Sequence, residues 1–111
     1  MYEINAGEFT KYDFRTTPAR KKIKKGKSFT ITIVPDTDSV WEELSKEEWE
    51  ELCEKNIDLI TFRSTNNRVA AVNRKTGKVT GRKKGIALIK TVVVTATGDA
   101  AVFKTKVYVV N

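Results

Sequence analysis

Ile60-Thr61-Phe62, Ser64-Thr65-Asn66-Asn67, Val69-Ala70-Ala71-Val72, Thr76-Gly77-Lys78-Val79-Thr80-Gly81 and Lys84-Gly85-Ile86-Ala87-Leu88-Ile89 follow one another between residues 60 and 89. Short β-branched runs broken by Gly or Asn roughly every ten residues are the pattern of a small antiparallel β-sandwich. Such a domain works mainly by presenting surface, so this stretch sets an expectation for function as well as for fold.

Working outward, Ser28 to Val34 alternates, with Phe29, Ile31 and Ile33 on one face and Thr30, Thr32 and Val34 on the other, until Pro35 ends the strand. Upstream, Thr16-Thr17-Pro18 suits an edge strand or a strand switch, and Gly26-Lys27 reads as a turn. Met1 to Asp13 forms a lead-in with Phe9, Tyr12 and Phe14 available for packing. Downstream, Ile86 to Thr97 is a long Ile/Val/Thr strand joined through Gly98-Asp99 to Ala101 to Val110. There Phe103, Thr105, Val107 and Val109 should point inward and Lys104, Lys106 and Tyr108 outward.

Between Asp36 and Asn56 the period changes. Trp41, Leu44, Trp49, Leu52 and Cys53 share one face of a 3.6-residue repeat, and Glu42, Glu43, Glu47, Glu50, Glu51 and Glu54 fill the other. Ser45 followed by Glu48 makes a capping box, so the spacing predicts a helix over Lys46 to Lys55, with a helical turn before it at Ser39 to Leu44 and Asn56 as terminator.

The order of these segments resembles the bacterial immunoglobulin-like domain of group 2, a module of intimin-type and invasin-type adhesins, other bacterial surface proteins and some phage structural proteins. The likeness covers residues 16–111 and leaves 1–15 as a lead-in or edge segment. Its carriers are Lys25-Gly26-Lys27-Ser28 before Phe29 to Pro35, Phe62-Arg63-Ser64-Thr65-Asn66 before Val69 to Asn73, then Gly77 to Gly81, Lys84 to Ile89 and the closing Val107-Tyr108-Val109. The resemblance implies an immunoglobulin-like antiparallel β-sandwich with one inserted amphipathic α-helix at about residues 45–55. Gly77, Gly81 and Gly85, with Asn66 or Asn67, would supply the turn conformations, and Val69, Val72 and Val79 the core plugs. Two features depart from the family: Phe62 stands where members commonly carry Trp, and the acidic segment 36–58 replaces a short loop. A loop insertion costs little stability and commonly carries what is particular to one protein.

At 111 residues the chain is one domain. Cys53 is its one cysteine, so no internal disulfide helps the core and the redox compartment stays open. No apolar run approaches the ~18 residues of a membrane span, and Met1 to Glu8 lacks the pattern of a signal peptide. The net charge of +7 divides unevenly: ten acidic and two basic residues lie between Asp36 and Asp58, and the remainder is strongly basic.

Chemistry is hard to assemble from this inventory. The chain has no His, which removes the commonest general base and metal ligand. Cys53 reads as a buried structural thiol beside Trp49 and Leu52, and the Glu47/Glu51 and Glu50/Glu54 pairs as a solvated face. Asp36, Asp38 and Glu42 lack the Gly and distal Glu of a calcium loop. No catalytic residue, cofactor or metal is expected. Arg20-Lys21-Lys22 with Lys24 and Lys25, and the Arg82-Lys83-Lys84 run, could track phosphates but read as solvated or edge-protecting charge, which disfavours nucleic acid as a partner.

The sequence therefore predicts a non-catalytic structural or adhesive module of a bacterial cell-surface protein or phage particle, belonging to a longer extracellular protein or a virion. Its partners would be a protein or glycan surface, or neighbouring domains of one assembly. The candidate contacts are Glu47, Glu50, Glu51 and Glu54 on the helix and Lys21, Lys22, Lys24 and Lys25 on the sandwich, with the helix lying on its own basic sandwich or on a neighbour's. A basic nucleic-acid-binding module and a carbohydrate-binding domain are the alternatives; the latter needs Trp41, Trp49 or Tyr108 exposed.

Overall fold

The computed structural model describes residues 9–36 and 41–111. Asp38 and the start of the expected Ser39 to Leu44 turn lie outside the described residues, as does the lead-in before Phe9. The described chain is a β-sandwich of nine strands and one helix: β1 (Phe14–Thr17), β2 (Arg20–Lys24), β3 (Ser28–Thr30), β4 (Thr32–Pro35), α1 (Lys46–Asn56), β5 (Ile57–Ser64), β6 (Ala70–Val72), β7 (Lys78–Gly81), β8 (Gly85–Thr95) and β9 (Ala100–Val110). One sheet has the order β2-β9-β8-β5, and the facing layer joins β3-β7-β6 to β1-β4. β3 and β4 are one strand interrupted at Ile31, whose amide donates to Gly77 O at 3.0 Å and carries the layer across the break.

The Thr16-Thr17-Pro18 break is a strand switch. β1 runs antiparallel to β4 in one sheet, and after Pro18 the chain crosses to the other, where β2 runs parallel to β9 with Arg20 opposite Lys106 and Lys24 opposite Val110. Pro suits the crossing because it has no N–H to leave unpaired between the sheets. The Thr17–Pro18 peptide is cis. The buried Thr105 hydroxyl donates to Pro18 O at 2.8 Å and pins the crossing to β9. The sandwich is antiparallel as expected except at this one pair, where a segment that leaves one sheet without reversing direction comes to lie beside β9 running the same way.

Alternation along the strands sets the core. Thr105, Val107 and Val109 are buried and Phe103 partly so, while Lys104 and Lys106 are exposed, as their two-residue period requires. Two apolar clusters result. One packs Phe62, Val69, Val79, Ile89 and Val107 between the sheets, with Val72 partly buried against it. The other gathers Phe9, Phe14, Trp41, Trp49, Leu52 and Val93. The second exists because β6 and β7 are only 3 and 4 residues long, whereas β8 and β9 each run 11. The inner face of the long strands outruns its partner layer, and β1, β4 and α1 cover the remainder. The expected packing of Phe9 and Phe14 is observed, with their rings stacked at 5.5 Å between centroids; Tyr12 is exposed.

α1 begins with the expected capping box. Glu48 N donates to Ser45 Oγ at 3.2 Å and Ser45 N donates to Glu48 Oε1 at 3.0 Å. That backbone bond, with the Ser45 hydroxyl, holds the Glu48 carboxyl below the usual range. Asn56 ends the helix without a left-handed turn: its side chain donates to Leu52 O at 2.9 Å, and Ile57 is already extended. Neither Asn66 nor Asn67 has a positive φ. Asn66 instead bends the chain through its side chain, accepting from Arg68 N at 3.2 Å. Gly81 does not supply a left-handed angle either; it is small because a Cβ there would lie 3.0 Å from Ile23 Cδ1 and 3.1 Å from Val109 Cγ1.

Thr91 of β8 lies wholly buried, and its hydroxyl has no hydrogen-bond partner. An unmet buried hydroxyl costs about 1–3 kcal/mol, and Val has the same outline. Thr91→Val is expected to raise stability by about 1 kcal/mol in urea titration; a loss would show that the hydroxyl is satisfied by bound water.

Candidate interaction surface

An 11-residue strand spans about 36 Å, so the 47 Å axis of the molecule lies along β8 and β9. One end of that axis carries the β8–β9 turn. The helix closes there, with Ala96 N donating to Asn56 O at 2.8 Å. The other end carries the β2–β3 turn and the β7–β8 loop. Lys25 N donates to Val110 O at 2.7 Å, Gly26 N to Gly81 O at 2.8 Å and Arg82 N to Val69 O at 2.8 Å. These bonds bring the two basic runs, far apart in sequence, to a single pole with Lys24, Lys25 and Arg82 to Lys84 exposed on it.

Glu47, Glu50, Glu51 and Glu54 are all exposed in the helix half. Glu51 pairs with Lys55 of its own helix at 3.6 Å, and among the described residues no helix carboxylate pairs with the sheets. Attachment is apolar, through Trp49 and Leu52, and the Trp49 indole donates to Ile33 O at 2.9 Å. Lys21, Lys22, Lys24 and Lys25 are exposed on β2 and its following turn, at the opposite edge of the four-stranded sheet from β5, which adjoins the helix. The two candidate sets are thus not brought together within one chain.

Trp41 is 2 % exposed and Trp49 is buried too, so both anchor the helical segment and neither offers a ring to a sugar. Tyr108 is partly exposed on the outer face of the sheet, with Lys106 Nζ 5.3 Å from its ring centroid. Burial, with the Glu50 charge, pushes the Cys53 thiol up to about 12, which leaves almost no thiolate at neutral pH and makes this side chain packing material.

The sequence reading missed a second basic feature. On the outer face of the four-stranded sheet, register places Arg63 of β5 opposite Lys90 of β8, and Lys90 opposite Lys104 of β9. One step toward the basic pole, Lys106 lies between Leu88 and Arg20. Arg63 and Lys90 are the single cations of β5 and β8, and Lys104 and Lys106 alternate with uncharged residues in β9, so no run announces them; the available signal was the outward phase of Lys90, Lys104 and Lys106. A groove of about 550 Å³ continues from this row around the β5 edge to Arg74 and Asn67.

No family model matches the chain, and no curated protein is detectably similar to it.

Proposed function

We propose that this chain is a non-catalytic spacer and display module of the group 2 bacterial immunoglobulin-like type, built into a bacterial cell-surface protein or a phage particle. The observation that carries the reading is the pairing of β2 with β9. β1 enters at the level of Phe103, where Phe14 and Phe103 rings lie 5.6 Å apart between centroids, and β9 leaves at Val110 beside Lys24. Tension applied through residues 9 and 111 pulls these parallel strands in opposite directions, loading their hydrogen bonds together in shear. An antiparallel hairpin pulled from its open end loses its bonds one at a time. A domain placed under tension between other domains benefits from the first arrangement.

The charge distribution supports the same role. An acidic half and a basic pole along one axis favour end-to-end contact between neighbouring domains of an assembly, steered by complementary potential. Burial of both tryptophans removes the main support for a carbohydrate-binding domain. Stretching the chain between its two ends tests the proposal: a single cooperative rupture is expected, and gradual peeling of β9 would refute a spacer under load.

A further inference from the structure

The outer face of the β2-β9-β8-β5 sheet carries a charge arrangement that folding does not explain. Arg63, Lys90 and Lys104 form a cross-strand row of three cations on neighbouring strands about 4.8 Å apart. Like charges directly opposite one another destabilise a sheet. Lys106 and Arg20 extend the row into a band that crosses all four strands. Among the described residues, no carboxylate forms an ion pair with any of these five. All five occupy outward positions, where a neutral Thr would avoid the repulsion and suits a strand. Beside the band, Val92 is half-buried and Val102 is 58 % exposed, so the face also leaves apolar surface in water.

We propose that this face binds single-stranded nucleic acid along its phosphate backbone, without preference for base. The band's cations recur at about 5 Å across strands and about 7 Å along them, intervals that a flexible phosphodiester chain can follow. A broad sheet face offers no projecting helix or ribbon to enter a duplex groove. The aliphatic floor, with Tyr108 as its one aromatic ring, gives unstacked bases an apolar surface but little hydrogen-bond readout. Five neutralised phosphates give a slope of log K against log salt near −3.5, or roughly a hundredfold loss of affinity between 50 and 200 mM salt.

The test is fluorescence anisotropy of the full chain with 15-nucleotide oligothymidine and oligoadenosine. Both should bind with affinities within threefold of each other and with that salt dependence. Lys90→Glu puts an anion between Arg63 and Lys104, which favours the fold, so weakened binding will not reflect unfolding. It should lower affinity at least tenfold while the melting temperature holds or rises. Lys78→Glu makes the same charge change on the exposed Lys78 of the other sheet and should alter affinity less than threefold. Three results would each overturn the proposal: no binding at 50 mM salt, equal weakening by the two variants, or displacement by polyglutamate as effective per charge as by oligothymidine. The last would mark a dock for an acidic protein.

Discussion

Trp49→Ala is expected to lower the stability of the whole sandwich by about 4 kcal/mol, a large part of the roughly 5–15 kcal/mol that holds a domain of this kind together. Trp49 is buried among Phe9, Leu52 and Val93, in the cluster that covers the half of β8 and β9 left bare by the short β6 and β7. Truncating it opens a cavity there, uncouples α1 and strips Ile33 O of its indole donor. Trp49→Phe keeps most of the volume and loses the bond, so it should cost about 1–1.5 kcal/mol. Urea unfolding followed at two wavelengths decides the matter. If α1 completes the core, helix and sheet signals shift together. If the helix melted alone while the sheet transition stayed in place, the insertion would be an appendage, and the account of the second cluster would fail.

Gly77→Ala should be nearly as damaging. Gly77 has φ of 78°, and a Cβ on it would sit 2.7 Å from Phe62 Cζ and 3.0 Å from Ile31 O. Left-handed backbone costs a side chain about 1–2 kcal/mol, and displacing a buried ring adds about 1–3 kcal/mol, so a loss near 3 kcal/mol is expected. Gly26 separates the two terms: its φ is 88°, but the space around it is open. Gly26→Ala should therefore cost only about 1–2 kcal/mol. Equal losses at both positions in thermal or urea unfolding would show that the Phe62 contact does not matter.

How much of this could be read without coordinates depended on how local the cause was. The Ser45/Glu48 box, the inward phase of Thr105, Val107 and Val109, and the turn glycines Gly26 and Gly77 follow from neighbours a few residues apart, and the structure agrees. Asn56 ends the helix as its position suggests, whereas Asn66 turns the chain by side-chain bonding and not by the backbone conformation expected of it. Gly81 was misread similarly: its constraint comes from Ile23 and Val109, distant in sequence. The parallel β2–β9 pairing joins segments more than eighty residues apart, and no local period encodes the direction in which two such strands meet. The Arg63–Lys90–Lys104 row was hidden for the same reason, since register alone creates it. The acidic helix was legible as a helix, but its place in the core depends on the shortness of β6 and β7, which sequence patterns specify poorly.

The spacer reading stands or falls on β2 and β9. Lys25 N donates to Val110 O and Lys106 N donates to Ala19 O, so by the two-residue period of a parallel ladder the Lys21 amide faces β9 and the Lys22 amide faces away. Lys21→Pro removes a bond from the ladder and Lys22→Pro removes none. Single-molecule stretching between the chain ends should give the unaltered chain one sharp rupture, leave Lys22→Pro close to it, and drop Lys21→Pro well below both. Indistinguishable rupture forces for the two proline variants, or extension without a peak in the unaltered chain, would contradict the claim that this sandwich resists tension through its parallel pair.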